Sequence, residues 1–284
     1  MDRFSKLNPR VSLLFFAIII VVSLALFNPI YLLVSLMAAF LYSVKLNGKS
    51  AVKSLVLFVI PVILFTGVFN MIFTSYGDTV LFNVFKKDFT LEGFFYGVCT
   101  GLSLGCLIMW ISCYSSVMTT DRLLSAFSRI APDISLTLSM ILAFLPRLKK
   151  NALEINDARF LYDSEKNKLK KSLNSFSALV SLTLEESIEL AESMKARGFN
   201  KNRKAYSRYA FTVKDALIML LMIVLTVSAI VFKISGKAKF VFEPKIYMVD
   251  FSPLGCFIYA TLCFLPLIID ATEGLKWLYL KSKT

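Results

Sequence analysis

No charged residue stands between Arg10 and Lys45, Lys53 and Asp78, Glu92 and Asp121, Asp215 and Lys233, or Asp250 and Asp270. These runs hold 34, 24, 28, 17 and 19 residues. A helix crosses the hydrocarbon core of a bilayer with about 20 apolar residues. Lipid offers no partner for backbone N–H and C=O groups, so a spanning segment must satisfy them internally. Runs of this length and continuity therefore point to an all-α, polytopic membrane protein. The composition agrees: 57% of the residues are hydrophobic and 18% charged, against roughly 25% charged in an ordinary soluble domain.

The first run is too long for one span and carries Asn28-Pro29 near its middle. Proline lacks a backbone donor and disfavours helix just before it. The run is read as a tight hairpin, 11–27 and 30–44, which brings the number of transmembrane helices to six. Lys45 is expected to snorkel to the interface. A signal peptide is the competing reading of the N-terminus, but no small-residue cleavage site follows Phe27 and apolar sequence resumes at Ile30, which favours a retained span. Three domains follow: 1–120 with helices 1–4, a charged module over 121–212, and 213–284 with helices 5 and 6 and a tail. Arg3, Lys6 and Arg10 oppose only Asp2, the 45–53 loop carries three lysines and no acid, and the 78–92 loop carries three acids against Lys86 and Lys87. The positive-inside rule then places both termini and the 121–212 module in the cytoplasm of an inner (plasma) membrane. The 233–250 loop, with four lysines against Glu243 and Asp250, runs against that rule.

The net charge of +13 (32 basic minus 19 acidic residues) is explained by basic residues gathered on the inner face, so no nucleic-acid partner is expected. Histidine is absent and the charge-free runs contain no carboxylate. An intramembrane enzyme would need a base, a carboxylate pair or metal ligands there, so no catalytic residue and no metal site is assigned. Asp270 and Glu273, the one acidic pair near a span, read as an interfacial helix end beside Lys276 and Trp277. Cys99, Cys106 and Cys113 recur every seven residues and read as small polarizable packing residues. "NGKS" at 47–50 resembles the end of a phosphate-binding loop, but Ser43 stands where the earlier glycine belongs, and spans flank it. No nucleotide site is expected in this chain.

Gly93, Gly97, Gly101 and Gly105 line one face of the fourth span and let another backbone come close, either from a helix of this chain or from a separate membrane subunit. The segment 121–215 holds 17 of the 32 basic and 11 of the 19 acidic residues. Within it, a 13-residue charge-free stretch between Asp133 and Arg147 is too short to cross and is expected at the interface or beneath the spans. After Pro146 an amphipathic helix is expected on Leu148, Ala152, Ile155 and Ala158, then a turn over 163–172, then a second helix on Leu184, Ile188, Ala191 and Met194. Each is expected to end in an Ala-Arg pair: Ala158-Arg159 and Ala196-Arg197. Gly198 suits the left-handed position that stops a helix, and the forked guanidinium suits carboxylates and carbonyls of a soluble partner.

With "LNPRVSLL", "TLEGFFYG", "AFLPRL", "ELAESMKARGFN" and "TEGLKWLYLK", the chain resembles the transmembrane T component of energy-coupling-factor (ECF) transporters, the CbiQ/EcfT family. Ala196, Arg197 and Gly198 match its second Ala-Arg-Gly motif. The first departs from it, with Phe160 where a small residue is usual. The resemblance implies a non-catalytic scaffold of an ABC-type importer. Two cytoplasmic ATPase subunits would bind ATP and each receive one arginine-bearing coupling-helix end. A membrane-embedded S component would carry the substrate, a vitamin or transition-metal ion, and the T component itself would need no cofactor. The rivals are a stand-alone permease, which would need charged residues inside its spans, and a membrane-embedded enzyme.

Overall fold

The computed structural model describes residues 4, 7–73, 80–84, 87–128, 131–162, 168–199, 209, 211–235, 240–241, 247–248 and 252–282. The chain divides into two compact units, one of Met1–Thr120 with Tyr209–Thr284, the other of Asp121–Arg208.

The first unit opens with α1 (Pro9–Ala25) and α2 (Pro29–Asn47). Asn8 and Asn28 cap them, each accepting a hydrogen bond from the backbone N–H two residues on, and proline follows each cap at the first helical position. The missing proline donor is harmless there and its fixed φ suits a helix start, so Asn28-Pro29 does divide the first run. Gly48, at φ 56°, turns the chain from α2 directly into α3 (Lys49–Ser54), a π-helical turn (Leu55–Val59) and α4 (Ile60–Phe73). "NGKS" is thus a helix-to-helix corner, without the strand a phosphate loop requires. A short antiparallel hairpin, β1 (Val80–Val84) with β2 (Lys87–Thr90), precedes α5 (Leu91–Val117). Thr90 caps α5 by accepting from the Gly93 N–H. The unit continues with α9 (Val213–Ile234), a two-residue pairing of β3 (Phe240–Val241) with β4 (Tyr247–Met248), and α10 (Pro253–Ser282). Helices dominate, as expected, and the strands are confined to short connections.

Among the described residues, five helical segments are long and apolar enough to span a membrane: Pro29–Asn47, Lys49–Phe73, Leu91–Val117, Val213–Ile234 and Pro253–Thr272. The sixth apolar helix, α1, has 17 residues, a rise of about 25 Å. The core lies between α1, α2, α5, α9 and α10 and includes Phe15, Phe16, Ile19, Leu32, Trp110, Met222, Tyr259 and Leu262. Phe15 and Phe16 meet Trp110 edge-on, with centroids 5.8 and 6.3 Å apart.

Apolar area alone does not hold helices together in lipid, and polar bonds register α5 against α2. The Trp110 indole N–H donates to Ser35 Oγ at 3.0 Å. The Cys106 and Cys113 thiols donate to the carbonyls of Leu32 and Ala39 at 3.3 and 3.6 Å. Two of the three heptad-spaced cysteines are therefore bonded packing residues.

One expectation about Lys45 and Asp270 changes. Asp270 is buried, with a side chain only 4% exposed, and pairs with Lys45 Nζ at 2.9 Å. Its other oxygen accepts the Phe4 N–H at 3.2 Å. Lys45 does not simply snorkel, and Asp270 is not just an interfacial helix end: together they fasten the N-terminal segment across α2 and α10. The buried Phe4 ring packs edge-on against Phe15, Phe16 and Tyr42. The side chains of Glu273, Lys276 and Trp277 lie outside the described residues.

Candidate functional site

The second unit contains α6 (Thr120–Phe127, its first residue at the boundary), α7 (Pro132–Tyr162) and α8 (Lys168–Ala196). The Ser135 hydroxyl donates to the Leu124 carbonyl at 2.9 Å and joins α6 to α7. Three expectations change here. First, α7 does not begin after Pro146; it is one 31-residue helix with Pro146 inside it. An internal proline costs about 3 kcal/mol, but Leu, Met, Ala, Arg and Lys, strong helix formers, crowd both sides of it and carry the helix through. Second, α7 runs three residues past Arg159, so only the second Ala-Arg pair stands at a helix end. Third, the expected turn over 163–172 is shorter, since α8 starts at Lys168; residues 163–167 lie outside the described residues.

Within the unit, α8 does not pack through its most apolar stripe. Its half-buried positions are Lys171, Ser175, Ala178, Leu179, Thr183, Glu186 and Met194. Glu186 accepts a hydrogen bond from Asn151 Nδ2 at 2.9 Å and fixes where the two helices meet. Leu184 and Ile188 stay 61% and 63% exposed, and Leu169, Leu173 and Phe176 are exposed in line with them. On α7, Leu148, Ala152 and Ile155 are half-buried, while Ala158 is exposed. Periodicity had marked an apolar face on α8 without telling whether this chain covers it.

The end of α8 is built by a small set of backbone bonds. The Phe199 N–H donates to the Met194 carbonyl, and the Gly198 N–H to the Lys195 carbonyl. This is a Schellman closure, which requires a left-handed residue at the second-last position, and Gly198 supplies it with φ 75°. A side chain there would be strained. Ala196 is the last helical residue, and Ala196, Arg197 and Gly198 are all exposed. Met194, Arg197, Gly198 and Phe199 line one surface pocket. The closure thus holds Arg197 at a defined, solvent-facing helix tip.

Arg159 lies on the described backbone of α7, with its side chain and that of Phe160 outside the described residues. Measured from the Asn151–Glu186 contact, Arg159 is eight residues along α7 and Arg197 eleven along α8, about 12 and 16 Å. The two arginines thus stand on separate arms of the helix pair.

The glycines of the fourth span form a different feature, in the first unit. A Cβ on Gly97 would stand 2.6 Å from the Thr66 carbonyl oxygen and 2.9 Å from Gly67 Cα. On Gly101 it would meet Thr66 Oγ1 and stand 2.7 Å from Ile63 Cα; on Gly105 it would stand 2.8 Å from Val59 Cγ1. Gly97 and Gly101 therefore seat α4 of this same chain and Gly105 the π-helical turn that leads into it, while Gly93 sits in the capped first turn of α5. Among the described residues, no group of three or more His, Cys, Asp or Glu side chains could hold a metal ion.

The sequence profile of the CbiQ family, described as cobalt transport protein, matches residues 3–207, which takes in α1 to α8 and leaves α9 and α10 outside the match. No curated protein matches the chain. A polytopic helical membrane protein with this match is a member of the CbiQ cobalt transport family.

Proposed function

We propose that this chain is the T component of an ECF-type importer: a scaffold that couples ATP hydrolysis by two partner ATPases to uptake through an S component. The observation that carries the reading is the second unit's helix pair. An exposed arginine is held at a rigid Schellman tip, a second arginine stands on the other arm, and an apolar face of α8 is left uncovered. Ordinary helix capping explains one such tip but not an uncovered apolar face beside it. Ala196, Arg197 and Gly198 dock one ATPase and Ala158 and Arg159 the other. ATP stays in those subunits, the chain needs no cofactor of its own, and the module faces the cytoplasm of a plasma membrane. The imported substrate is of the vitamin or transition-metal class.

The test is ATPase co-purification with substrate uptake in cells carrying Arg159→Glu, Arg197→Glu or both, after membrane insertion has been checked. A charge-assisted contact contributes about 1.5–3 kcal/mol, so each single reversal should weaken retention of one ATPase by roughly 10- to 100-fold. The double variant should lose both. Arg197→Lys should be impaired as well, because ammonium cannot reproduce the planar fork. A double variant that inserts normally, keeps both ATPases and transports at the wild-type rate would reduce these arginines to helix caps.

A further inference from the structure

The uncovered side of α8 is regular over its N-terminal half. Leu169, Leu173, Phe176, Val180 and Leu184 recur at i, i+4, i+7, i+11 and i+15, the spacing of one helix face, and extend over about 22 Å. All five are exposed, Leu169 the most at 79%. The half-buried positions Lys171, Ser175, Ala178 and Leu179 lie on the other side of the helix.

Charge divides the helix in two. Residues 168–184 hold three lysines, Lys168, Lys170 and Lys171, and no acid, whereas residues 185–196 hold four glutamates against Lys195. Widening the first window to 157–184 adds Arg159 and Lys166 together with Asp157, Asp163 and Glu165, and the net charge stays positive at +2 (five basic minus three acidic residues). Beside the stripe, Asn156 of α7 and Lys171, Ser172, Ser175 and Phe176 of α8 line a surface groove of about 380 Å³. Its rim carries an ammonium, an amide and hydroxyls, all of which can donate to phosphate oxygens. Phe176 belongs to both the groove and the stripe.

A contiguous exposed apolar surface marks a place where something binds. Leu and Phe along one face with lysines beside them is the composition of helices that lie in the plane of a bilayer interface, their apolar face about 5–10 Å deep. Lysines near the surface are drawn to anionic headgroups, and the glutamates beyond Leu184 are repelled by them. We propose that the N-terminal half of α8, residues 169–184, rests on an anionic phospholipid surface, with its stripe against the acyl chains and a headgroup phosphate in the groove at Lys171. The C-terminal half, with Arg197 at its tip, stays off the bilayer. This contact needs no ATPase, so it can fail while docking through Arg197 holds, and the reverse.

The full chain in lipid nanodiscs tests this, in a Cys256→Ser background that removes the least buried native thiol. A nitroxide is attached at Leu173→Cys or, as the control, at Glu189→Cys; both positions are exposed. Collisions with oxygen, which concentrates in lipid, and with a water-soluble nickel chelate report where each label sits. In nanodiscs of equal parts phosphatidylglycerol and phosphatidylcholine, the Leu173 label should favour oxygen and the Glu189 label the chelate. In phosphatidylcholine alone the Leu173 label should move toward water. Each lysine near an anionic surface contributes about a fivefold preference, so Lys170→Gln with Lys171→Gln should lower the lipid-to-water ratio of the Leu173 label by up to about 25-fold, and only in the anionic nanodiscs. A Leu173 label as open to the chelate as the Glu189 label in anionic lipid would overturn the proposal and leave the stripe to a protein partner. Immersion that is unchanged by lipid charge, or by the double substitution, would overturn it equally. Should the double variant fail to insert, the wild-type comparison of the two lipids decides.

Discussion

Replacing Gly101 by alanine should loosen the membrane unit, and by more than the same change at Gly105. At Gly101 the new methyl would stand 2.7 Å from Ile63 Cα, which is backbone. Carbon atoms rest about 3.5–4.0 Å apart, so α4 must withdraw by about 1 Å along this seam. A radial gap of 0.5–1 Å forfeits about a quarter to a half of each dispersion contact, and the neighbouring contacts at Gly97 and Gly105 open with it. Overpacking of this kind costs about 1–3 kcal/mol, against a helix-propensity gain of about 0.8–1 kcal/mol for alanine over glycine. The net loss should be up to about 2 kcal/mol. At Gly105 the methyl meets one Val59 methyl carbon at 2.8 Å, and a shift of that side chain relieves it, so the two terms should nearly cancel. Trp110 is fully buried, and in a Trp277→Phe background its fluorescence can follow SDS-driven unfolding in mixed micelles. Equal losses at Gly101 and Gly105, or a gain at Gly101, would refute the backbone-contact reasoning.

Asp270→Ala should destabilise the unit more than Asp270→Asn, because the amide can still accept the Phe4 N–H. A double-mutant cycle with Lys45→Ala should return a coupling of about 0.5–3 kcal/mol in the same unfolding assay, and zero coupling would mean the 2.9 Å pair contributes nothing. Trp110→Phe keeps an aromatic ring but removes the donor to Ser35, and should cost about 0.5–1.5 kcal/mol beyond lost packing. The same substitution in a Ser35→Ala background should cost measurably less; identical losses in both would argue against the bond.

The spans were legible because hydrocarbon tolerates almost no charge, so the composition of a run reports its surroundings directly. Asn28-Pro29 was legible for a different reason: an Asn cap followed by proline is a helix start whatever the context. Pro146 misled because the rule for an interior proline states a local cost, while the outcome depends on helix formers on both sides. The same residue type at Pro61 was absorbed by a π turn, which leaves no mark in apolar periodicity. Asp270 looked like a helix end because it closes a charge-free run, and its partner Lys45 lies at the end of α2, far away in the chain. Of the arginine tip, Gly198 was readable from sequence through the left-handed position it fills. The packed face of α8 was not, because Ser175, Ala178 and Glu186 make it and the apolar stripe beside them stays open.

The bonds between α2 and α5 join residues 74 or 75 positions apart, and this separation has a consequence for biogenesis. At about 5–20 residues per second, synthesis needs about 4–15 s to travel from Ser35 to Trp110. Throughout that interval the Ser35 hydroxyl has no indole donor, because Trp110 has not yet been made. The nascent chain therefore passes through a stage in which α2 is complete but lacks the bonds that register it, and these form only once α5 follows.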